Sequence, residues 1–250
     1  MIKRIPLFWH KSDNYGDCLA PIIADEISGI KPVFVNDYSE KYCILGSILN
    51  DECISTAEIW GAGFVSPMNN PPKPLRIHAV RGPLTKSVYE ASGIDCPDVF
   101  GDPALLLPML FPEMPVNNKR HKIGMVVHWV DRECVAALFG HLDIKIIDCM
   151  NPALQVMEEI LSCEKIISTS LHGLITAMAF HIPASWVTIS GRVIGEGFKF
   201  EDFLLSVGCE RIENKYLPGT IPHEFINSLH YHRIQKFDFD RLYSSCPFLP

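Results

Sequence analysis

The sequence is short of several features that mark common classes of protein. It has nine Cys, an odd number, and no Cys-x-x-Cys pair. Both observations argue against a disulfide framework or a zinc site, so we expect reduced and mostly buried thiols. No apolar run approaches the roughly 20 residues of a membrane span, because Pro108 and His181 interrupt the longest candidates. The first residues also lack the apolar segment of a secretory signal. We therefore expect a cytoplasmic chain that does not cross a membrane, with peripheral attachment left open.

Positive charge is scarce too. The chain has 22 Lys and Arg against 29 Asp and Glu, and a net charge of −7 argues against a nucleic-acid partner, although it allows a local basic pocket. Metal ligands are not clustered, and His230 and His232 are two positions apart and cannot share a helical face. We therefore predict no metal requirement.

What the sequence does contain is an alternation of strand-like and helix-like segments over 250 residues, of which 48% are hydrophobic. The predicted strands are Ile5–Trp9, Cys43–Gly46, Ile59–Gly63, Ile77–Val80, Ile123–Val127, Ile144–Ile147, Lys165–Ser168 and Ala184–Val187, and Val99–Leu107 is predicted as a strand or a strand end. The predicted helices are Asp17–Ser28, Pro83–Ser92, Asp131–Phe139, Pro152–Ser162 and Leu171–Phe180. Such alternation implies parallel sheets with right-handed crossovers, so we predict an α/β fold of two Rossmann-like halves.

A change of composition separates the two halves. Residues Met109–Lys122 contain Pro and Asn and then a basic cluster, which is typical of a linker. We therefore predict an N-terminal domain over 1–115 and a C-terminal domain over 116–250. The aromatic tail from Tyr231 could pack back on the first half, a point that the sequence does not decide.

The most informative motif is Ser168-Thr-Ser-Leu-His-Gly173, which joins a buried strand to a helix. Unpaired backbone N–H groups and the helix dipole make such a junction an anion site. His172 lies in the first turn, where it could carry charge or transfer a proton, and Gly173 permits close approach of another group. The alternative is a core histidine whose hydrogen bonds are satisfied, but this setting favours function.

Two further motifs are loops rich in glycine. In Asn14-Tyr-Gly-Asp17, Gly16 permits a tight turn and Asp17 either caps the following helix or points at a substrate hydroxyl. In Trp60-Gly-Ala-Gly63 the glycines allow backbone to approach either a ligand or a neighbouring strand. Because this motif is not Gly-x-Gly-x-x-Gly, a nicotinamide dinucleotide is not predicted.

Three charged residues stand at promising positions. Arg81 ends a strand just before Gly82-Pro83. At this position a guanidinium that binds a carboxylate or phosphate is favoured over a solvated surface arginine. Asp102 precedes Pro103 and either orients Arg81 or a sugar hydroxyl or is a turn residue. Lys199 could bring a cation over the cleft or be solvated, with its stem packed on aromatic rings.

Taken in order, these segments resemble the polysaccharide pyruvyl transferase family, and most closely its bacterial exopolysaccharide branch, which forms pyruvate ketals. The resemblance runs to about Gly208. Its segments are Asn14–Asp17, Leu45–Ile48, Trp60–Gly63, Val80–Pro83, Gly101–Ala104, Ser168–Gly173 and, less closely, Gly191–Gly195 and Phe198–Phe200. One departure is Ser170, because many members have Arg at this position. The resemblance implies that another cation, such as Lys199 or Arg192, replaces that Arg.

The resemblance also implies a fold similar to the two-domain glycosyltransferase B architecture. It implies phosphoenolpyruvate as co-substrate with no separate cofactor, and a sugar of a lipid-linked oligosaccharide as acceptor. We predict catalytic roles for His172 and Asp17. Predicted donor-binding residues are Arg81, Ser170, Leu171, Gly173, Lys199 and Arg192, and predicted acceptor-binding residues are Asn14, Gly16 and Asp102.

Two other functions stay open at the level of sequence. One is a nucleotide-sugar-dependent glycosyltransferase of the same fold, since fold does not fix function. The other is a non-catalytic sugar-binding protein of a polysaccharide assembly complex.

Overall fold

The computed structural model describes residues 4–116 and 118–249 and contains two five-stranded sheets flanked by helices. The strands are β1 Pro6–Leu7, β2 Val33–Phe34, β3 Lys41–Cys43, β4 Ala57–Trp60, β5 Arg76–Ala79, β6 His121–Val127, β7 Lys145–Asp148, β8 Cys163–Ser168, β9 Ala184–Thr188 and β10 Asn214–Lys215. The helices are α1 Tyr15–Ser28, α2 Pro83–Ala91, α3 Leu107–Leu110, α4 Arg132–Phe139, α5 Ala153–Leu161, α6 Leu171–Ala179, α7 Phe198–Ser206, α8 Pro222–Ser228 and α9 Phe239–Ser244.

All strand pairs within both sheets are parallel, which confirms the predicted α/β class. The first sheet has the order β2-β1-β3-β4-β5 and the second the order β10-β9-β8-β6-β7. Numbered within its own half, each sheet therefore has the order 2-1-3-4-5. The two halves repeat one topology although the sequence shows no repeat.

Helix α1 begins two residues before the predicted start. Asn14 is its N-cap, with the side chain accepting a hydrogen bond from Gly16 N, and Gly29 ends the helix in the left-handed region at φ 66°. The prediction that Asp17 could be the cap is therefore wrong. Asp17 lies in the first turn, where its negative charge interacts favourably with the helix dipole.

The segment Val99–Leu107, predicted as a strand or strand end, pairs only near its start. Phe100 forms a single bridge to Val80, the residue that follows β5. Gly101 then takes φ 132°. Asp102 caps a 3-10 turn over Pro103–Leu106 by accepting a hydrogen bond from Ala104 N. Pro103 lacks an N–H for strand pairing and favours the start of a helix, so the apolar run forms a helical turn that continues into α3.

The two halves share one continuous apolar core. Helix α1 packs on α5 and α6, and hydrogen bonds cross the boundary here. Tyr15 N donates to Cys149 O over 2.7 Å, and the Tyr15 hydroxyl lies 2.7 Å from Thr176 Oγ1. Because burial of apolar area is the main stabilising term, the halves hold each other in place.

The C-terminal tail returns to the first half. Trp60 Nε1 donates to Leu242 O over 3.0 Å, and the ring of Phe248 lies 5.9 Å from that of Trp60. This contact answers the question that the sequence left open. Within the part of the chain that the structure describes, no helix is long and apolar enough to cross a bilayer.

Candidate functional site

A cavity of about 560 Å³ lies where the carboxyl edges of the two sheets face each other. In the order 2-1-3-4-5, strand 2 is added on one side of strand 1, and strands 3 to 5 are added on the other side. Ligands of such folds bind between strands 1 and 3, at the carboxyl ends of the strands, where the order reverses. The lining residues follow strands at their carboxyl ends: His10 to Asp17 after β1, Gly46 to Asp51 after β3, His128 to Val130 after β6, and Ser170 to His172 after β8. The topology thus brings both reversal points to one cavity.

His172 is the most constrained of the predicted residues. It stands in the first turn of α6 and is 8% exposed, and a Cβ on Gly16 would lie 2.1 Å from its Nδ1. Gly16 is therefore required for packing against the ring, which is a different use from the predicted acceptor contact. Glycine at this position lets α1 of the first half touch a histidine of the second.

Asp102 stands behind the same ring. Its Oδ2 is fully buried and lies 3.6 Å from His172 Nε2, and neither atom has a hydrogen-bond partner within the described residues. The distance is longer than a hydrogen bond, but catalytic contacts often shorten only when substrate binds. Asp102 thus faces His172, a partner that the sequence did not suggest, and its cap of the following turn supports the turn-residue alternative.

The start of α6 forms one wall of the cavity. Ser170 is the N-cap and makes no capping hydrogen bond with its side chain, and Leu171 lines the cavity beside it. The unpaired N–H groups of this first turn favour an anion. Gly173 does not line the cavity, and its close neighbours are Ser168 Oγ and Val126 of the sheet.

Lys199 brings a cation to the same cavity from the first turn of α7. It is 8% exposed, and burial together with the nearby Arg81 charge lowers its pKa to about 8, with Asp17 partly opposing this. A buried ammonium is stabilised by an anion beside it. Lys199 is therefore well placed to bind a phosphate or carboxylate.

Arg81 is near the cavity but does not line it. Its side chain is fully buried, with Nε donating to Asp202 Oδ2 over 3.0 Å, Nη1 to Ser47 Oγ over 2.7 Å, and Nη2 to Phe64 O. Burial lowers its pKa, while the carboxylates of Asp202 and Asp102 oppose the shift. Ser47 stands between Arg81 and the cavity, so the guanidinium acts there through its field and through that hydroxyl.

The glycines of Trp60–Gly63 serve packing. A Cβ on Gly63 would lie 2.4 Å from Arg81 Cζ, and one on Gly61 would meet Pro103 and Gly101 O. Of the two interpretations that the sequence left open, the structure supports close approach to neighbouring protein groups.

Three other predicted residues line the cavity. Asn14 and Asp17 lie on the side of the first half, and Ser12 Oγ donates to Asp17 Oδ2 over 2.6 Å, which orients that carboxylate. Arg192 lies on the side of the second half and is exposed to solvent.

Sequence reasoning missed His128. It follows β6 as His10 follows β1, and its Nδ1 accepts a hydrogen bond from Val130 N at 3.4 Å, which leaves the proton on Nε2. Burial and the Lys199 charge lower its pKa to about 4, so the ring is a neutral donor at physiological pH. Its position after the first strand of a half is the signal that would have found it.

A second missed feature is the pair of His10 and Asp51 at the rim, with His10 Nε2 3.0 Å from Asp51 Oδ2. The hydrogen bond to Asp51 raises the pKa of His10. Trp129 and Ile194 also line the cavity and are 56% and 70% exposed. These side chains give the mouth of the cavity apolar and polar surfaces together.

Possible metal ligands do not cluster in the part of the chain that the structure describes. Over residues 4–116 and 118–249, no three His, Cys, Asp or Glu side chains come close enough to share a metal ion. The expected metal independence stays a prediction.

Fold and cavity together define a class: an α/β protein with a cavity between two sheets of the same strand order, lined by a lysine, a helix start and a histidine backed by a carboxylate. Residues 72–191 match the family model described as polysaccharide pyruvyl transferase. The chain is 29% identical over 231 residues to the succinoglycan biosynthesis protein ExoV of Rhizobium meliloti. The aligned region covers 87% of this chain and 67% of that protein.

The chain is also 28% identical over 222 residues to an uncharacterised protein of Acanthamoeba polyphaga mimivirus, covering 83% of this chain and 76% of that protein. No solved structure matches the chain significantly. The match over residues 72–191 and the similarity to ExoV confirm the resemblance to the polysaccharide pyruvyl transferase family that the motifs indicated. These similarities indicate a transferase that acts in the pyruvylation of polysaccharides.

Proposed function

We propose that the chain transfers the pyruvyl group of phosphoenolpyruvate to a sugar of an exopolysaccharide or capsular repeat unit, forming a ketal and releasing phosphate. The observation that carries this proposal is the cavity itself, where Lys199, Arg192 and the start of α6 surround one space beside His172. A donor with a carboxylate and a phosphate needs several positive groups, because leaving such charges unpaired in a cavity is very costly.

The donor fits against the second half. Its phosphate would take the N–H groups of the first turn of α6 and the Ser170 hydroxyl, with Lys199 providing the charge of the missing arginine. Its carboxylate would extend toward Arg192 or toward the Ser47 hydroxyl in front of Arg81. Burial of Lys199 supports this assignment, since an anion offsets the cost of its desolvation.

The acceptor fits against the first half, whose carboxylates and amides suit sugar hydroxyls. Asp17 would take the proton of the attacking hydroxyl as its oxygen bonds to C2 of the enol, while His172 gives a proton to the methylene carbon. The C2–O bond to phosphate then breaks, and phosphate leaves with the proton that Asp17 had taken. The second hydroxyl adds to C2 and gives its proton to His172, which completes the ketal and restores both residues. Asp102 would hold the His172 ring and balance its charge during this cycle.

The repeated order 2-1-3-4-5 supports two Rossmann-like domains in an arrangement similar to glycosyltransferase B. We further propose a lipid-linked oligosaccharide as acceptor, met at the inner face of the membrane. The exposed Trp129 at the mouth suits a sugar ring, which presents an apolar face as well as hydroxyls.

The test is incubation of the purified chain with phosphoenolpyruvate and candidate lipid-linked oligosaccharides, following phosphate release and product mass. We expect one phosphate per product and a mass gain equal to one pyruvyl ketal. A parallel thermal-shift titration separates the alternatives: stabilisation by nucleotide sugars and not by phosphoenolpyruvate would contradict the proposed donor.

A further inference from the structure

Asp202 is a carboxylate of the second half that lies inside the first. It is fully buried on α7, and its neighbours are Arg81 and the first residues of α2. Nothing in the sequence pattern pairs Asp202 with Arg81, which lies 121 positions earlier.

Both oxygens of Asp202 are used. Oδ1 accepts from Leu84 N over 2.9 Å and from Thr85 N over 3.0 Å, so it caps α2 from another part of the chain. Oδ2 accepts from Arg81 Nε over 3.0 Å and from Thr85 Oγ1 over 2.6 Å. Four hydrogen bonds therefore fix one carboxylate between a helix start and a buried guanidinium.

The fit at this point is tight. A Cβ on Gly82 would lie 1.9 Å from Asp202 O, so α7 reaches its place only because residue 82 has no side chain. Lys199 lies one turn earlier on the same helix and faces the cavity. The contact that holds Asp202 against the first half thus also sets the position of Lys199 relative to Arg81.

We infer that Asp202 is the positioning residue of the anion site, holding Arg81 behind Ser47 and fixing Lys199 in front of it as a single two-cation unit. This inference rests on the proposed function, because it assigns the unit to the donor's anionic groups. Asp202 does not touch the donor, and its effect passes through the two cations that it holds.

The experiment compares Asp202→Asn with Glu201→Gln, an acid-to-amide change at the next position of α7 that leaves the anion site intact. Phosphoenolpyruvate affinity is measured by calorimetry from pH 7 to pH 9.5, and unliganded stability is measured separately. Asp202→Asn keeps an acceptor for α2 but removes the charge beside Arg81, so we expect Kd to rise about 10-fold or more, as for loss of a charged hydrogen bond. Glu201→Gln should bind as the wild type does.

The pH dependence separates positioning from a purely structural role. Arg81, Asp17 and His128 are the charged or titratable groups that act on Lys199, and His172 and Arg192 share its cavity. With Asp202 neutral, the Arg81 charge is less compensated, so the alkaline loss of affinity should begin at lower pH than in the wild type. A lowered melting temperature with unchanged Kd and unchanged pH dependence would overturn the inference.

Arg81→Lys covers the case in which Asp202→Asn does not fold. Lysine keeps the positive charge beside Asp202 but cannot donate to Asp202, Ser47 and Phe64 O at the same time. We therefore expect weaker phosphoenolpyruvate binding, and wild-type affinity would overturn the inference. If the wild type itself does not bind phosphoenolpyruvate, the proposed function fails. If the wild type binds it and both variants bind equally well, the Asp202 inference alone fails.

Discussion

The two halves of the molecule share a strand order and differ in the chemistry that they present to the cavity. The first half contributes the carboxylates of Asp17 and Asp51, the imidazole of His10 paired with Asp51, and the polar side chains of Asn14, Ser47 and Asn50. The second half contributes the cationic and imidazole groups of His128, His172, Arg192 and Lys199. The shared topology fixes where a ligand binds, and the loops decide which charge each side presents.

The comparison also shows that each half completes the other. His172 of the second half is packed by Gly16 and backed by Asp102 of the first. Arg81 of the first half is paired with Asp202 of the second. A half that carried its site alone would not need these exchanges, so the chemistry belongs to the boundary between them.

The largest effect is expected for His172→Ala, which removes the proposed proton donor of the second half. We expect the activation free energy to rise by about 2–4 kcal/mol, the scale of one acid–base or oxyanion group, and kcat to fall accordingly. His141→Ala, an exposed change in the same half, is the control. Turnover and donor binding of His172→Ala at wild-type levels would show that the second half does not carry the proton transfer.

The next effect concerns the charge of Lys199. Its cationic form is present below a pKa of about 8 and is lost above it, so kcat/KM for phosphoenolpyruvate should decline as pH rises through that value. Lys199→Arg keeps its charge and should retain affinity at pH 9, while Lys199→Met should weaken binding about 10- to 100-fold at pH 7. A pH profile identical in wild type and Lys199→Arg would place the alkaline limb on another group.

The smallest effect, and the sharpest test of the boundary, is Gly16→Ala. Alanine favours a helix over glycine by roughly 0.5–1 kcal/mol, but its Cβ would displace the His172 ring. We expect kcat to fall about 10-fold, the cost of moving one catalytic group by a fraction of an ångström. Cys18→Ala on the same helix is the control, and full activity in Gly16→Ala would mean that the ring need not stay where it is.

Much of the fold was predictable because apolar runs and helix signals are local. The strands around Ile59, Ile77 and Ile166 and the helix ending at Gly29 follow from their own residues. Strands β2 and β10 were missed, since each has only two residues and takes its identity from a neighbour. The run after Val99 was misassigned because Gly101 and the Asp102 cap outweigh its apolar character.

The site was predictable where a motif carried it and not where contacts were distant. His172, Lys199, Arg192 and Asp17 do line one cavity. Arg81 lies behind that cavity, because Ser47 and Asp202 hold its head inside the protein, and these partners are far away in sequence. His128 belongs to no motif and takes its importance from the repeated topology.

The returning tail has a practical consequence for anyone who wishes to study one half alone. Leu242 O and Ser245 Oγ accept the indole N–H of Trp60, and the Phe248 ring also contacts Tyr42, so the first sheet completes its packing with residues from the far end of the chain. A fragment ending in the linker would expose that aromatic face. We therefore expect co-expression of the two fragments, rather than either by itself, to give a folded split protein.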